Sequence, residues 1–276
     1  MSAQAAAAAA SDAIEAAAFV DFYAAAPPTL AAQLGLRTAE VAAATLLFAP
    51  RLPATIFNRA IGLGVHRPAN EADLDAVIAA FGEAGQGTLA YWIHANPFAA
   101  PASLAQWLES RGFTLPERRT WAKMLRGTAP PPDIPTSLEV RRARPAEVSA
   151  VAQTIATAFG MAPMLVPWIE AIFGRPRWRG YAVLADGKVV GGGALFVDGQ
   201  DAWLGLGSVA TEFRNRGGQG ALMALRIRDA IAAGCTRIAT ETGEPVANEP
   251  NPSLANMVRC GFGKACSRLN YAAPRK

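Results

Sequence analysis

The spacing of apolar residues changes period several times along the 276-residue chain. Residues 1–38 are Ala-rich and read as helix, a break at Pro27-Pro28, then further helix, forming an N-terminal arm with a frayed start. VAAATLLFAP (41–50) reads as a strand, followed by TIFNRAIGLGV (55–65). From Glu71 to Ala84, residues Leu74, Val77, Ile78 and Phe81 fall at i, i+3, i+4 and i+7, which predicts an amphipathic helix. TLAYWIHAN (88–96) is strand-like. A helix opens at Ser103, with Leu104, Trp107 and Leu108 on one face and Gly112 past its end. RRTWAKMLRG (118–127) reads as a strand, and the Pro-rich stretch 129–137 as a linker.

The second half opens with a strand at 138–144 and a helix carrying Val148, Val151, Ile155 and Phe159 in register. An apolar helical stretch covers 161–173, and 181–199 forms a hairpin turning at Asp186-Gly187. A strand at 202–209 runs into a Gly-rich turn and a helix at 221–233. Strand 235–243, helix 253–259 and strand 267–273 close the chain. This alternation predicts a mixed α/β sheet. The halves also echo each other: GLGV (62–65) leads through helix, strand and helix to SRGF (110–113), and GLGSV (205–209) leads the same way to RCGF (259–262). An internal duplication is therefore expected, with an arm at 1–40, domains at 41–128 and 138–276, and the linker 129–137 between them.

Composition sets limits on this picture. With 51% hydrophobic and 17% charged residues, the chain is too apolar for a disordered protein. The net charge of +4 divides into −2 for residues 1–136 and +6 for 137–276. An anionic partner is therefore expected in the second half. No run of five basic residues exists, so nucleic acid is not expected. Cys235, Cys260 and Cys266 form no CxxC pair, and His66 and His94 lie far from them in sequence, so neither a metal nor a disulfide framework is expected. Free thiols and the lack of a signal-peptide pattern suggest a cytoplasmic protein. Residues 148–169 carry no charge, but Pro163 and Pro167 break them, so no membrane span is expected.

The stretch richest in chemistry follows the strand that ends at Val209. Arg214-Asn215-Arg216-Gly217-Gly218-Gln219-Gly220 opens an amphipathic helix. Free N–H groups and the dipole at a helix start favour an anion, glycines admit close approach, and Arg214 and Arg216 suit phosphate oxygens. The loop lacks the Lys-Ser/Thr of a Walker loop and the spacing of a dinucleotide fingerprint.

These residues resemble the GNAT superfamily of acyl-CoA-dependent N-acyltransferases, whose signature is Arg/Gln-x-x-Gly-x-Gly/Ala between a strand and a helix. Arg214 and Gly217 fit, Gln219 departs from the pattern, and Ala221-Leu222 continue it. The Gly261-Phe262 ending and the element order from 138 to 273 are also similar to the family, and the first half resembles a degenerate copy without the phosphate loop. The resemblance implies tandem GNAT-like domains that use acetyl-CoA as cosubstrate and transfer its acetyl group, by direct attack in a ternary complex, to the amine of a small-molecule or peptide acceptor. Acyl-CoA would lie in a splay between strands 202–209 and 235–243. Backbone groups of Val209 and Ala210 would hold the pantetheine, and residues Asn215 to Gly220, with Ala221 following, would hold the pyrophosphate.

Met257 stands where many relatives carry a Tyr acid, so Tyr271 and Ser253 become candidate proton donors. Glu241 and Glu244 are candidate bases, and Glu241 and Tyr271 are the expected catalytic residues. Met161, Met164, Trp168 and Phe173 lie where the family covers its acceptor. His94 and Asn58-Arg59 read as structural, His94 as a satisfied core histidine. A homodimer is left open. The alternative reading is an acyl-CoA-binding or interaction protein without turnover.

Overall fold

The computed structural model describes residues 2–52, 54–116, 120–246, 249 and 251–274. In chain order these form α1 (Ala3–Ala24), α2 (Pro28–Leu34), β1 (Arg37–Val41), β2 (Ala44–Phe48), β3 (Arg59–Ile61), α3 (Glu71–Ala84), β4 (Trp92–Ala95), α4 (Leu104–Ser110) and β5 (Thr120–Arg126). The second half adds β6 (Glu139–Arg142), α5 (Val148–Ala158), α6 (Val166–Ile172), β7 (Trp178–Ala185), β8 (Lys188–Asp198), β9 (Asp201–Val209), α7 (Gly218–Ala232), β10 (Arg237–Gly243), α8 (Pro252–Arg259) and β11 (Gly263–Ala272). Arg118 and Arg119, expected to open the strand at 118–127, lie outside the described residues.

Among the described residues, all eleven strands join one sheet in the order β1-β2-β3-β4-β11-β5-β10-β9-β8-β7-β6. Each half contributes an antiparallel meander and one parallel pair, β3 with β4 and β9 with β10. The halves exchange their last strands: β5 pairs with β10, and β11 pairs with β4. β5 and β11 then pair antiparallel at the centre of the sheet. The architecture is thus a mixed α/β sheet whose two halves share one continuous ladder.

Packing divides by sheet face. One face carries α1, α5 and α6, whose Phe22, Val151, Ile155, Trp168 and Ile169 meet Ala182, Phe196, Trp203 and Ala239 of the sheet. The opposite face carries α7 and α8 over the second half. On the first half that face is covered by α3 and α4, which contribute Leu74, Val77, Phe81, Leu104 and Leu108.

The Ala-rich start is not a frayed arm. Helix α1 spans 22 residues and lies across the sheet centre. Its inward stripe places Asp12, Glu15 and Phe22 at helical spacing, with Asp12 and Glu15 fully buried. Glu15 accepts from Lys123 Nζ at 2.6 Å and from Arg268 Nη1 at 2.5 Å, and its other oxygen lies 3.1 Å from Arg59 Nη1. Asp12 accepts from Arg268 Nη1 at 2.7 Å and from Asn96 Nδ2 at 2.7 Å. At its far end, Asp21 takes Arg175, Arg177 and the Trp178 indole, and Trp168 Nε1 donates to Phe22 O at 2.6 Å. Isolated Ala-rich helices are marginal in water; these buried partners hold this one in place.

A strand at 37–41 also replaces the end of the expected second helix. It turns into β2 through Ala42 and Ala43, both at positive φ (54° and 60°). Such a turn is normally written with Asn or Gly, so two alanines leave no signal in the sequence. His94 is buried as expected, but neither ring nitrogen has a hydrogen-bond partner among the described residues. Burial, then the nearby Arg268 and Arg59, push its pKa well below 6.5 and keep the ring neutral.

Burial pushes the Glu15 carboxyl up, but Arg268, Lys123 and Arg59 together offset this and hold it well below 4.5. Glu15→Ala is expected to cost about 3–5 kcal/mol in urea unfolding at neutral pH, because three buried cations lose a shared counter-charge. The stabilisation from the lowered pKa is complete above the unfolded value of 4.5 and is lost as pH falls through the folded value. Tm measured downward from pH 5 should therefore drop more steeply in wild type than in Glu15→Ala.

Candidate functional site

Strands β9 and β10 pair over a short length, with Arg237, Ile238 and Ala239 opposite Asp201, Ala202 and Trp203. Beyond that point the strands part. β10 stays paired to β5 up to Gly243, whereas β9 follows β8 through a register shift between Gly192 and Ala194. The shift is a bulge centred on Leu206, which has φ of 56°. Thr240 Oγ1 donates to Leu204 O at 2.8 Å, so a side chain replaces the lost ladder bond where the strands separate.

Arg226 of α7 braces the bulge. It is buried, and its Nη1 donates to Ala194 O at 3.1 Å and to Gly205 O at 3.0 Å. A Cβ on Gly207 would lie 2.8 Å from this guanidinium. Burial pushes its pKa down to about 10, so the group remains charged at neutral pH.

The parted strands enclose a cavity of about 530 Å³ that reaches both sheet faces. On the α7 and α8 side it is lined by Arg214, Gln219, Met223, Asn251, Ser253 and Met257. On the α1 side it is lined by Phe19, Phe22, Phe57, Trp121, Trp203 and Glu241, with Met161 and Phe159 nearby. Its volume falls in the range of small-molecule sites.

Glu241 stands on the cavity wall with both oxygens engaged. Trp203 Nε1 lies 3.0 Å from each, and Lys123 Nζ donates to Oε2 at 2.9 Å. The indole folds over Gly205, where a Cβ would fall 2.0 Å from the ring. Lys123 is fully buried and links Glu241 to Glu15; its pKa is raised, since burial lowers it but Glu15 and Glu241 raise it further. Asp12, Glu15 and Glu241 thus face Arg59, Lys123 and Arg268 in one connected group.

The loop before α7 has two left-handed residues, Asn215 (φ 61°) and Gly217 (φ 79°). Ala221 N already donates to Gly217 O, and the helix start has no side-chain cap, so the N–H groups of Gly218, Gln219 and Gly220 open the helix without an intrahelical partner. That is an anion-binding geometry. Arg214 is exposed and its Nε donates to Val209 O at 3.2 Å; Arg216 is exposed and lies over the Phe213 ring at 5.2 Å. Gln219 lines the cavity.

The glycines serve packing as well as approach. A Cβ at Gly217 would fall 2.0 Å from Pro135 O, and those at Gly218 and Gly220 would meet Leu138 and Ile134. The linker therefore lies against the outside of this loop.

The other expected site residues separate. Ala210 N is taken by Val190 O at 2.8 Å, so Ala210 addresses β8. Alternate residues of a strand address opposite neighbours, so the backbone groups of Val209 point into the cleft. Tyr271 is not at the cavity. It lies on the α3 and α4 face, where its hydroxyl donates to Glu109 at 3.0 Å, and burial raises its pKa to about 12. Strand alternation places it on the face opposite the α1 side. Glu244 accepts from Ser267 and Lys264 and does not line the cavity. Trp168 is core, Phe173 packs on Gly180, and Met164 is exposed; of the four expected cover residues, Met161 reaches the cavity.

Lys123 and Arg226 were not among the sequence candidates, yet both carry a signal. Lys123 alternates with Trp121 and Leu125 in an apolar strand, and Arg226 falls on the same helical stripe as Leu222 and Ala230. A charge on an inward stripe marks a buried polar site.

The splayed parallel pair, the bulge and the uncapped helix start together form one cleft with an anion-binding end. Residues 150–262 match a family described as "Acetyltransferase (GNAT) family". A comparison with curated proteins found no match. Among solved structures, a GCN5-related N-acetyltransferase from Kribbella flavida superposes with TM-score 0.63 at 16% identity, covering 87% of this chain and 90% of that one. One from Sphaerobacter thermophilus gives 0.60 at 17%, covering 88% and 84%. A tandem GNAT protein from the clavulanic acid biosynthesis pathway gives 0.58 at 15%, covering 83% and 77%. Residues 150–262 thus match the GNAT family, and the chain as a whole shares the fold of these GNAT structures, one of them a tandem protein.

Gly217→Ala tests the loop geometry. A side chain at φ 79° against Pro135 O is expected to cost about 1–3 kcal/mol in denaturant unfolding, whereas Gln219→Ala should stay within about 0.5 kcal/mol of wild type.

Proposed function

We propose that this acyltransferase is cytoplasmic and moves an acetyl group from acetyl-CoA to the amine of a small molecule. The observation that carries this reading is the single cavity wall shared by the parted β9 and β10, with free helix N–H groups at one end and a carboxylate at the other. The acyl thioester supplies the electrophile.

In this reading the N–H groups of Gly218 to Gly220 and the side chains of Arg214 and Arg216 hold the diphosphate. The Val209 N–H orients and polarises the thioester carbonyl. Glu241 takes the proton that the ammonium must lose before its nitrogen can attack. Lys123 Nζ donates to one Glu241 oxygen and the Trp203 indole to both, so the two together fix the plane and position of the carboxylate. Met257 carries no transferable proton. Ser253, one turn earlier on the same helix, lines the cavity and supplies a hydroxyl to the departing thiolate. The thioether at Met257 also supports a second reading, acyl-CoA binding without turnover.

Glu241→Gln is expected to lower kcat about 10²–10⁴-fold while leaving the calorimetric affinity for acetyl-CoA unchanged. An unchanged kcat would remove Glu241 from the mechanism. Arg216→Ala should weaken acetyl-CoA binding about 10-fold. Acetyl-CoA binding with no thiol release across a broad amine panel would leave the second reading standing.

A further inference from the structure

We infer that the acceptor is a primary monoamine carried on an aromatic or similarly flat apolar body, and that the first half of the chain selects it. This rests on the acyl-transfer reading of the same cavity and goes on to name its substrate class.

The α1 side of the cavity is built largely by the first half of the chain. Phe19 and Phe22 come from α1, Phe57 from the turn before β3, and Trp121 from the exchanged strand β5. The second half supplies Trp203 and Met161. Phe19 meets Trp203 edge-on at 5.5 Å between centroids, so these rings form a continuous wall. Flat apolar ligands gain most from such a surface, by burial and by edge or offset stacking.

Charge narrows the class further. Among the described residues lining the cavity, Glu241 is the one carboxylate. Its charge is already matched by Lys123, and its network carries three carboxylates against three cations. Arg214 and Arg226 also line the cavity. A polyamine or aminoglycoside would bring several positive charges to a wall with no surplus negative charge, and a buried uncompensated charge is costly. A monoamine brings one such charge at most and sheds it when its proton leaves for attack, so it meets the smallest penalty.

Hydrogen bonding supplies the anchor. Ser208 is 6% exposed and lines the cavity, and its Oγ has no hydrogen-bond partner among the described residues. Strand alternation through the bulge turns it to the same face as Trp203. Its hydroxyl can accept an N–H of the amine, which fixes the nitrogen beside the carboxylate wall.

The test measures thiol release from acetyl-CoA with phenethylamine and tryptamine against ethanolamine, spermidine and kanamycin. The aryl amines should show kcat/KM about 10–100-fold higher than ethanolamine, the gain expected from burying one aromatic group. Trp121→Leu and Phe19→Leu should each raise KM for the aryl amines several-fold while leaving the KM for acetyl-CoA unchanged, and Ser208→Ala should raise the amine KM. Should one variant fail to fold, the other retains the test. Turnover of spermidine or kanamycin at or above the aryl amines overturns the inference but leaves acyl transfer intact. If acetyl-CoA binds but no amine is turned over, saturable quenching of tryptophan fluorescence by tryptamine's non-fluorescent analogue phenethylamine supports the inference, and its absence at millimolar amine overturns it. Failure to bind acetyl-CoA overturns the acyl-transfer reading itself.

Discussion

Glu15 of α1 meets three cations from three strands: Arg59 of β3, Lys123 of β5 and Arg268 of β11. Those strands belong to both halves of the chain. Removing so many charges from water is costly; Lys123 and Arg268 offset it with hydrogen bonds to Glu15, whereas Arg59 meets Glu15 as an ion pair without a hydrogen bond. The network therefore fixes the register of the exchanged strands against one another and the seat of the N-terminal helix. It also extends to the cleft, because Lys123 donates to Glu15 and Glu241 alike. The placement of the candidate base is thus tied, through Lys123, to helix α1.

The cleft results from a competition along one strand. β10 remains bound to β5, and β9 remains bound to β8, so the two must part once the bulge at Leu206 bends β9 away. Arg226 occupies the space behind the bulge and satisfies the carbonyls that the bend leaves open. The exchange of β5 and β11 has a second consequence. It brings Trp121 of the first half to the cavity wall, and Lys123 to the Glu241 carboxylate that lines it. The first half lacks a counterpart of the Gly-rich loop before α7, but its Phe19, Phe22, Phe57 and Trp121 line the α1 side of the cavity.

Much of this was legible before the fold was known. The helix 71–84, the hairpin at 181–199, the strand ending at Val209 and the Gly-rich helix start all carry local signals of period, turn residue or cap. Glu241 was recognisable as a carboxylate at a strand end beside the proposed splay. Tyr271 was not separable from the cleft by sequence, because strand alternation decides its face, and the bulge beside Lys264 alters the count along β11. The glycines at 217, 218 and 220 read as room for phosphate, and the contacts with Pro135, Leu138 and Ile134 became visible only once the linker was placed.

Sequence alone determined the elements whose causes are local: amphipathic helices, the linker, and the loop whose backbone conformation requires glycine. It also determined the resemblance of the second half to the GNAT family. Tertiary structure decided which strand pairs with which, since β5 and β11 offer similar alternating patterns and either half could have kept its own. It likewise decided that the Ala-rich helix is central. Asp12 and Glu15 look like ordinary helix charges until three cations, distant in sequence, are brought within hydrogen-bond reach. Long-range pairing of buried charge leaves no local pattern, because its partners are selected by the fold and not by their spacing along the chain.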